Sequence, residues 1–226
     1  MGGVAGGELA SHLAAETFLS HLISNESSTV RVQTRINAAV QAANRAIFQQ
    51  AQQTPQLAGM GTTLVGLLHA QVEVASRTNG RGVEPPALWL VHVGDSRCYL
   101  WRGHELKRMT SDHSLVEEQV RAGQITPEQA IESPMRNLIT RAVGSQATVE
   151  PEIHGYRPQR DDLYLLASDG LTGELQDKEI AEILDRIPDM VTQPALHTAC
   201  RELVQAANAK GGGDNITVLL VALGSD

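Results

Sequence analysis

Three aspartates stand where an apolar run meets a cluster of small residues. Leu163-Tyr164-Leu165-Leu166-Ala167 runs straight into Ser168-Asp169-Gly170. Gly211-Gly212-Gly213-Asp214-Asn215 opens onto an apolar stretch through Leu223, and Met109-Thr110-Ser111-Asp112-His113 follows a shorter hydrophobic segment. Apolar runs of this length bounded by glycine predict buried strands, each of which carries its carboxylate to the edge of the core. There Asp169, Asp214 and Asp112 can meet around a hard cation. Mg²⁺ and Mn²⁺ want oxygen ligands and keep several waters, and small neighbours leave room for that shell. The same residue types also serve as helix caps and turn residues, and for any one aspartate alone that role fits better.

The elements that must position these groups follow from periodicity. Leu9, Leu13, Phe18 and Leu22 predict a helix over residues 8–22. Val32, Ile36, Val40, Ala43 and Ile47 predict a cleaner one over residues 30–53, with Pro55 beyond its end. Strands are expected over 64–75, 87–93, 97–101 and 105–109, with a turn-rich loop over 78–86 and a hairpin turn at Gly103-His104. Short turns between successive strands predict antiparallel sheet. Residues 111–148 change character: helical pieces over 115–122, 126–131 and 137–143 are broken at Gly123, Pro134 and Gly144. This reads as an inserted, mobile subdomain. Strand returns over 149–153, and helices follow over 177–184 and 194–207. No repeat or linker divides the chain, so residues 1–226 read as one domain.

Composition bounds the function. Hydrophobic residues make up 42% and aromatics 3%, so a sizeable core must be built from Ala, Leu, Val and Ile. A net charge of -8 with no basic run argues against a nucleic-acid partner. Cys98 and Cys200 have neither metal spacing nor the look of a disulfide framework, which fits a reducing cytoplasm. No segment approaches the ~18–20 apolar residues of a membrane span. Residues 1–8 match neither a signal peptide nor a myristoylation pattern, and read as the inside of a glycine-rich turn. His69, His92 and His197 lie in apolar patterns and are expected in the core rather than on a metal, since hard cations prefer oxygen. His113 is expected to position the inserted segment or to be structural. Trp89 and Trp101 are expected in the core or on a sheet surface.

Taken together the motifs resemble the PPM-type (type 2C, metal-dependent) protein serine/threonine phosphatases, closest to the compact bacterial members. The matching residues are Met1-Gly2-Gly3 with Gly7-Glu8, Gly61-Thr62-Thr63, Val93-Gly94-Asp95-Ser96-Arg97, Thr110-Ser111-Asp112-His113, Ser168-Asp169-Gly170 and Gly213-Asp214-Asn215. The resemblance spans the whole chain. It implies an α+β fold: an α-β-β-α sandwich of two antiparallel sheets flanked by helices, lacking the first strands. It implies two or three Mg²⁺ or Mn²⁺ ions, with Asp169 and Asp214 matching ligands of the binuclear centre and Asp112 a ligand of a third, looser ion. Asp95, Asn215, Ser168 and Gly170 match supporting or structural positions. Residues 111–148 correspond to the family's flap. The activity implied is hydrolysis of phosphoserine and phosphothreonine in proteins by a metal-activated water, with no protein nucleophile. The partners implied are phosphorylated proteins, for a cytoplasmic protein that is a monomer when complete.

One departure from the family pattern bears on activity. The family's glycine-rich turn reads Asp-Gly-Met-Gly-Gly, and here the chain starts at the Met. The bridging Asp, the adjoining Gly and the upstream phosphate-binding Arg are absent, and two aspartates are few for two mutually repelling dications. Impaired metal binding and turnover are therefore expected, restored by extending the chain upstream. A phosphoprotein-binding module without catalysis is the alternative, and a purely structural protein is a third reading.

Overall fold

The computed structural model describes residues 3–25, 30–70 and 87–223. Its elements in chain order are α1 (Gly3–Ser24), α2 (Val32–Gln53), β1 (Leu64–His69), β2 (Leu88–Val93), β3 (Arg97–Arg102), β4 (Glu105–Arg108), α3 (Leu115–Arg121), α4 (Pro127–Glu132), β5 (Glu152–Tyr156), β6 (Leu163–Ala167), α5 (Asp169–Thr172), α6 (Asp177–Leu184), α7 (Gln193–Lys210) and β7 (Val218–Ala222). Both sheets are antiparallel and are accompanied by helices, as the resemblance implies. The chain forms two compact units, Met1–Gly94 with His113–Arg157 and Asp95–Asp112 with Pro158–Asp226.

In the first unit a sheet of order β1-β2-β5 is accompanied by α1 and α2. Leu64 pairs with Val93, Leu68 with Trp89 and Val91 with Ile153, and residues 89, 91 and 93 alternate along β2, so these apolar positions of three strands share one face. The core joins Ile36, Val40 and Ile47 of α2 to Val91 and Val93 of β2. Ala10 and Ala14 of α1 are four residues apart, hence on one face, and both are buried. Small side chains there let the helices approach closely. The expected glycine-rich turn over residues 3–8 is instead the first two turns of α1, because the packing of its alanine face outweighs the weak helix propensity of glycine.

Asn44, fully buried on α2, anchors the loop beyond the inserted segment. Its amide nitrogen donates to the carbonyls of Gln146 (2.9 Å) and Ala147 (3.1 Å), and its oxygen accepts from the Gly144 N–H (2.7 Å). Gly144 has φ +89, and a Cβ there would lie 2.1 Å from Ile47 Cγ2. The helix expected over residues 137–143 does not form: Ile139 bridges to Ser114, and Val143 to Thr62. A backbone engaged in cross-chain bonds cannot close helical ones. Gly61 answers the same contact, since a Cβ there would meet the Val143 carbonyl at 3.1 Å.

The second unit holds a sheet of order β4-β3-β6-β7, with β6 buried along its whole length. Tyr99, Leu163 and Leu165 pack with Ile180 and Leu184 of α6 and Leu203 and Ala207 of α7. Asp162 is buried beneath Arg102, which donates two hydrogen bonds to it at 2.6 and 2.7 Å.

Smaller differences from the sequence reading concern boundaries. Strand β5 starts at Glu152, three residues later than expected, and β1 ends at His69. The expected strand end over 71–75, the loop 78–86 and the Met1-Gly2 motif lie outside the described residues. His69 and His197 are exposed, not in the core: His69 is the last residue of its strand and His197 lies on the outer face of α7.

Candidate metal centre

The antiparallel register explains why distant aspartates converge. Arg97 pairs with Ala167, and Ala167 with Val218, so the start of β3, the end of β6 and the start of β7 lie together. Asp95, Asp169 and Asp214 are carried by the turns at that end of the sheet. Asp112 follows β4, which pairs with β3 through Tyr99 and Arg108.

Ser168 and Gly170 bind two of these turns together. The Ser168 hydroxyl donates to the Asn215 carbonyl (3.1 Å) and accepts from the Thr217 N–H (3.0 Å), while the Ser168 N–H donates to the Thr217 carbonyl (3.0 Å). At Gly170 a Cβ would lie 2.3 Å from the Asn215 carbonyl oxygen, so only glycine lets the two backbones touch. Asp214 accepts from the Asn215 N–H at 2.7 Å, which orients its carboxylate. Both Asp169 and Asp214 keep exposed surface, as ions that retain water require.

Electrostatics report the crowding. Burial, then the Asp169 and Asp112 carboxylates, push Asp95 up to about 6. Crowded surroundings, then Asp214 and more weakly Asp112, raise Asp169 above the ordinary carboxylate range, although the residue retains an exposed edge. Like charges held this close are relieved by a cation. Asp112 differs. It is buried and accepts from Arg97 Nε and from Arg97 Nη2 (2.8 Å), with Arg108 on its other oxygen. Burial alone would lower the Arg97 pKa, but these bonds to Asp112 outweigh it. Arg97 is held in turn by the Tyr99 hydroxyl, which donates to Asp177. Asp169 and Asp214 thus repel one another, whereas the charge of Asp112 is balanced by two guanidiniums, and these three aspartates do not form a group of ligand atoms within 4.8 Å of one another among the described residues.

A second cluster, in the first unit, escaped the sequence reading. Potential ligand atoms of His92, His113 and Glu152 lie within 4.8 Å of one another, the one such group among the described residues. The rings of His92 and His113 stack at 4.5 Å, and His113 Nε2 lies 3.2 Å from Glu152 Oε1 and 3.4 Å from Arg141 Nη1. Burial, then His92 and Arg141, push His113 down to about 4, so the ring is neutral at physiological pH. His92 is buried as expected, but it faces Glu152 across the β2–β5 ladder. That pairing joins residues too far apart in sequence for any local pattern to signal.

No protein-family model matches the chain. It is 35% identical over 224 residues to the serine/threonine phosphatase stp of Listeria monocytogenes, covering 98% of this chain and 81% of the relative. It is 39% identical over 220 residues to the serine/threonine protein phosphatase PstP of Mycobacterium tuberculosis, where it covers 97% of this chain but only 38% of PstP. The fold matches a crystal structure of that phosphatase with a TM-score of 0.82 at 38% identity, covering 100% of this chain and 86% of the other. A crystal structure of the PstP catalytic domain in complex with two manganese ions matches with a TM-score of 0.76 at 38% identity, covering 97% and 83%.

Proposed function

The chain belongs to the PPM-type bacterial serine/threonine protein phosphatases, and we propose that it hydrolyses phosphoserine and phosphothreonine in proteins at a Mg²⁺ or Mn²⁺ centre held by Asp169 and Asp214. Paired dications supply a water of lowered pKa and neutralise phosphoryl oxygens, so no side-chain nucleophile is needed. The observation that carries this reading is the joining of the two aspartate turns by Ser168 and Gly170, which holds two repelling carboxylates together. Asp112, balanced by Arg97 and Arg108, serves as the weaker ligand of a third ion. Asp95 and Asn215 support the site from behind without binding metal.

Residues 111–148 act as a flap within a single domain and bear on substrate choice more than on chemistry. Their exposed Ile131, Met135 and Leu138 support that role by offering apolar contact to a substrate protein. The partners are phosphorylated proteins, not nucleic acid or membrane, and the protein works in cytoplasmic signalling, as a monomer when complete. No described helix is long and apolar enough to cross a membrane.

Asp169→Asn and Asp214→Asn each abolish Mn²⁺-dependent hydrolysis of p-nitrophenyl phosphate and of a phosphothreonine peptide. Near wild-type turnover in either variant means that the ligands are other residues. A wild-type chain that binds Mn²⁺ and phosphopeptide without turnover is a binding module instead.

A further inference from the structure

Gly94 closes β2 with φ +104, and a Cβ there would lie 2.4 Å from Thr63 Cγ2, so the turn is tightly determined. His113 holds it from both sides. Its ring Nδ1 accepts the Gly94 N–H at 3.1 Å, and the His113 backbone N–H donates to the Gly94 carbonyl at 2.9 Å. The His113 carbonyl accepts from Thr140 N–H at 2.8 Å. With Nδ1 acting as acceptor, the proton of the neutral ring sits on Nε2, which donates to Glu152 Oε1 at 3.2 Å. A metal ion among His92, His113 and Glu152 would have to displace that proton and leave an imidazolate, because Nδ1 stays committed to Gly94. The trio therefore orients a ring instead of holding an ion.

Gly94 immediately precedes Asp95, and His113 immediately follows Asp112. We propose that His113 is the positioning residue for these two carboxylates, pinning both ends of the segment that carries them while Glu152 and His92 fix its ring. This inference rests on the reading of the aspartates as a dication site. Its consequence is that Mn²⁺ affinity depends on the acceptor at Nδ1 and not merely on the bulk of the side chain.

Three substitutions separate these contributions. His113→Asn places an amide oxygen near the position of Nδ1 and keeps an acceptor for Gly94, but loses Glu152. His113→Gln reaches toward Glu152 but offers Gly94 no acceptor, and His113→Ala loses both. Mn²⁺ binding to the full chain, measured without substrate by electron paramagnetic resonance, is expected to weaken about tenfold in the Gln and Ala variants. The Asn variant stays close to wild type. Thermal unfolding without metal is recorded alongside. A common loss of melting temperature in all three, with equal Mn²⁺ affinity in Asn and Gln, would overturn the proposal. In the unsubstituted chain the ring ¹⁵N shifts of His113 are expected to show the Nε2–H tautomer, and the Nδ1–H tautomer overturns it even where a variant fails to fold. A wild-type chain that binds no Mn²⁺ removes the dication reading and this inference with it. Unchanged affinity in Gln and Ala beside a Mn²⁺-binding wild type removes only the inference.

Discussion

Gly170→Ala sets two effects of known size against each other. Gly170 lies in the short helix α5 and is not among the glycines with positive φ, so alanine fits the local backbone. Helix propensity alone favours the substitution by about 1 kcal/mol. The new methyl, however, would lie 2.3 Å from the Asn215 carbonyl oxygen and 2.8 Å from its carbon, both of them backbone atoms that no rotamer change can move. Ordinary contact requires the Asp169 and Asp214 turns to part by roughly 1 Å, and overpacking of this kind costs about 1–3 kcal/mol. The clash equals or exceeds that gain, leaving a net loss of up to roughly 2 kcal/mol and a melting temperature lower by about 2–4 °C per kcal/mol for a chain of this size. Activity should suffer more than stability, since a displacement of about 1 Å at a reacting centre costs on the order of 100-fold in rate. The assay is Mn²⁺-dependent p-nitrophenyl phosphate hydrolysis beside a thermal melt of the same preparation. Wild-type rate and wild-type melting temperature together would refute the claim that contact between these turns sets the site.

Other predictions address the scaffold. Asn44→Ala leaves three backbone groups without their partner, so it should destabilise the chain by about 3 kcal/mol or more, read by urea unfolding. Burial alone would raise the Asp162 pKa, but Arg102, the Gln159 N–H and the Tyr164 hydroxyl outweigh it and hold the carboxyl below its ordinary range. A lowered folded-state pKa contributes stability above the unfolded value, and that contribution is lost as pH falls through the folded one. Asp162→Asn should therefore destabilise at neutral pH and flatten the loss of stability below about pH 4, followed by circular dichroism. Within residues 111–148, α4 buries no residue and α3 buries only Val116. Their amides should exchange hydrogen far faster than those of β6, and equal protection would contradict a mobile flap.

Much of the fold was legible from local pattern. The three- and four-residue spacing from Val32 to Ile47 marked α2, and the unbroken apolar run of residues 163–167 marked β6 as buried on both faces. Those signals survive in a single sequence because each element must bury its own apolar positions whatever its neighbours do. The same logic placed Asp169 and Asp214 at the ends of core strands, and glycine beside them where backbones meet. Four features were decided only in three dimensions. Residues 3–8 became helix because Ala10 and Ala14 pack a close helix pair, which no propensity scale for glycine anticipates. Residues 137–143 lost their helix to bridges with Ser114 and Thr62. The meeting of His92, His113 and Glu152, and the balancing of Asp112 by Arg97 and Arg108, arise from strand register and turn geometry. Apart from Arg108 and Asp112, which are near neighbours, such contacts join residues far apart along the chain, and only the closing of sheet ladders fixes which side chains face each other.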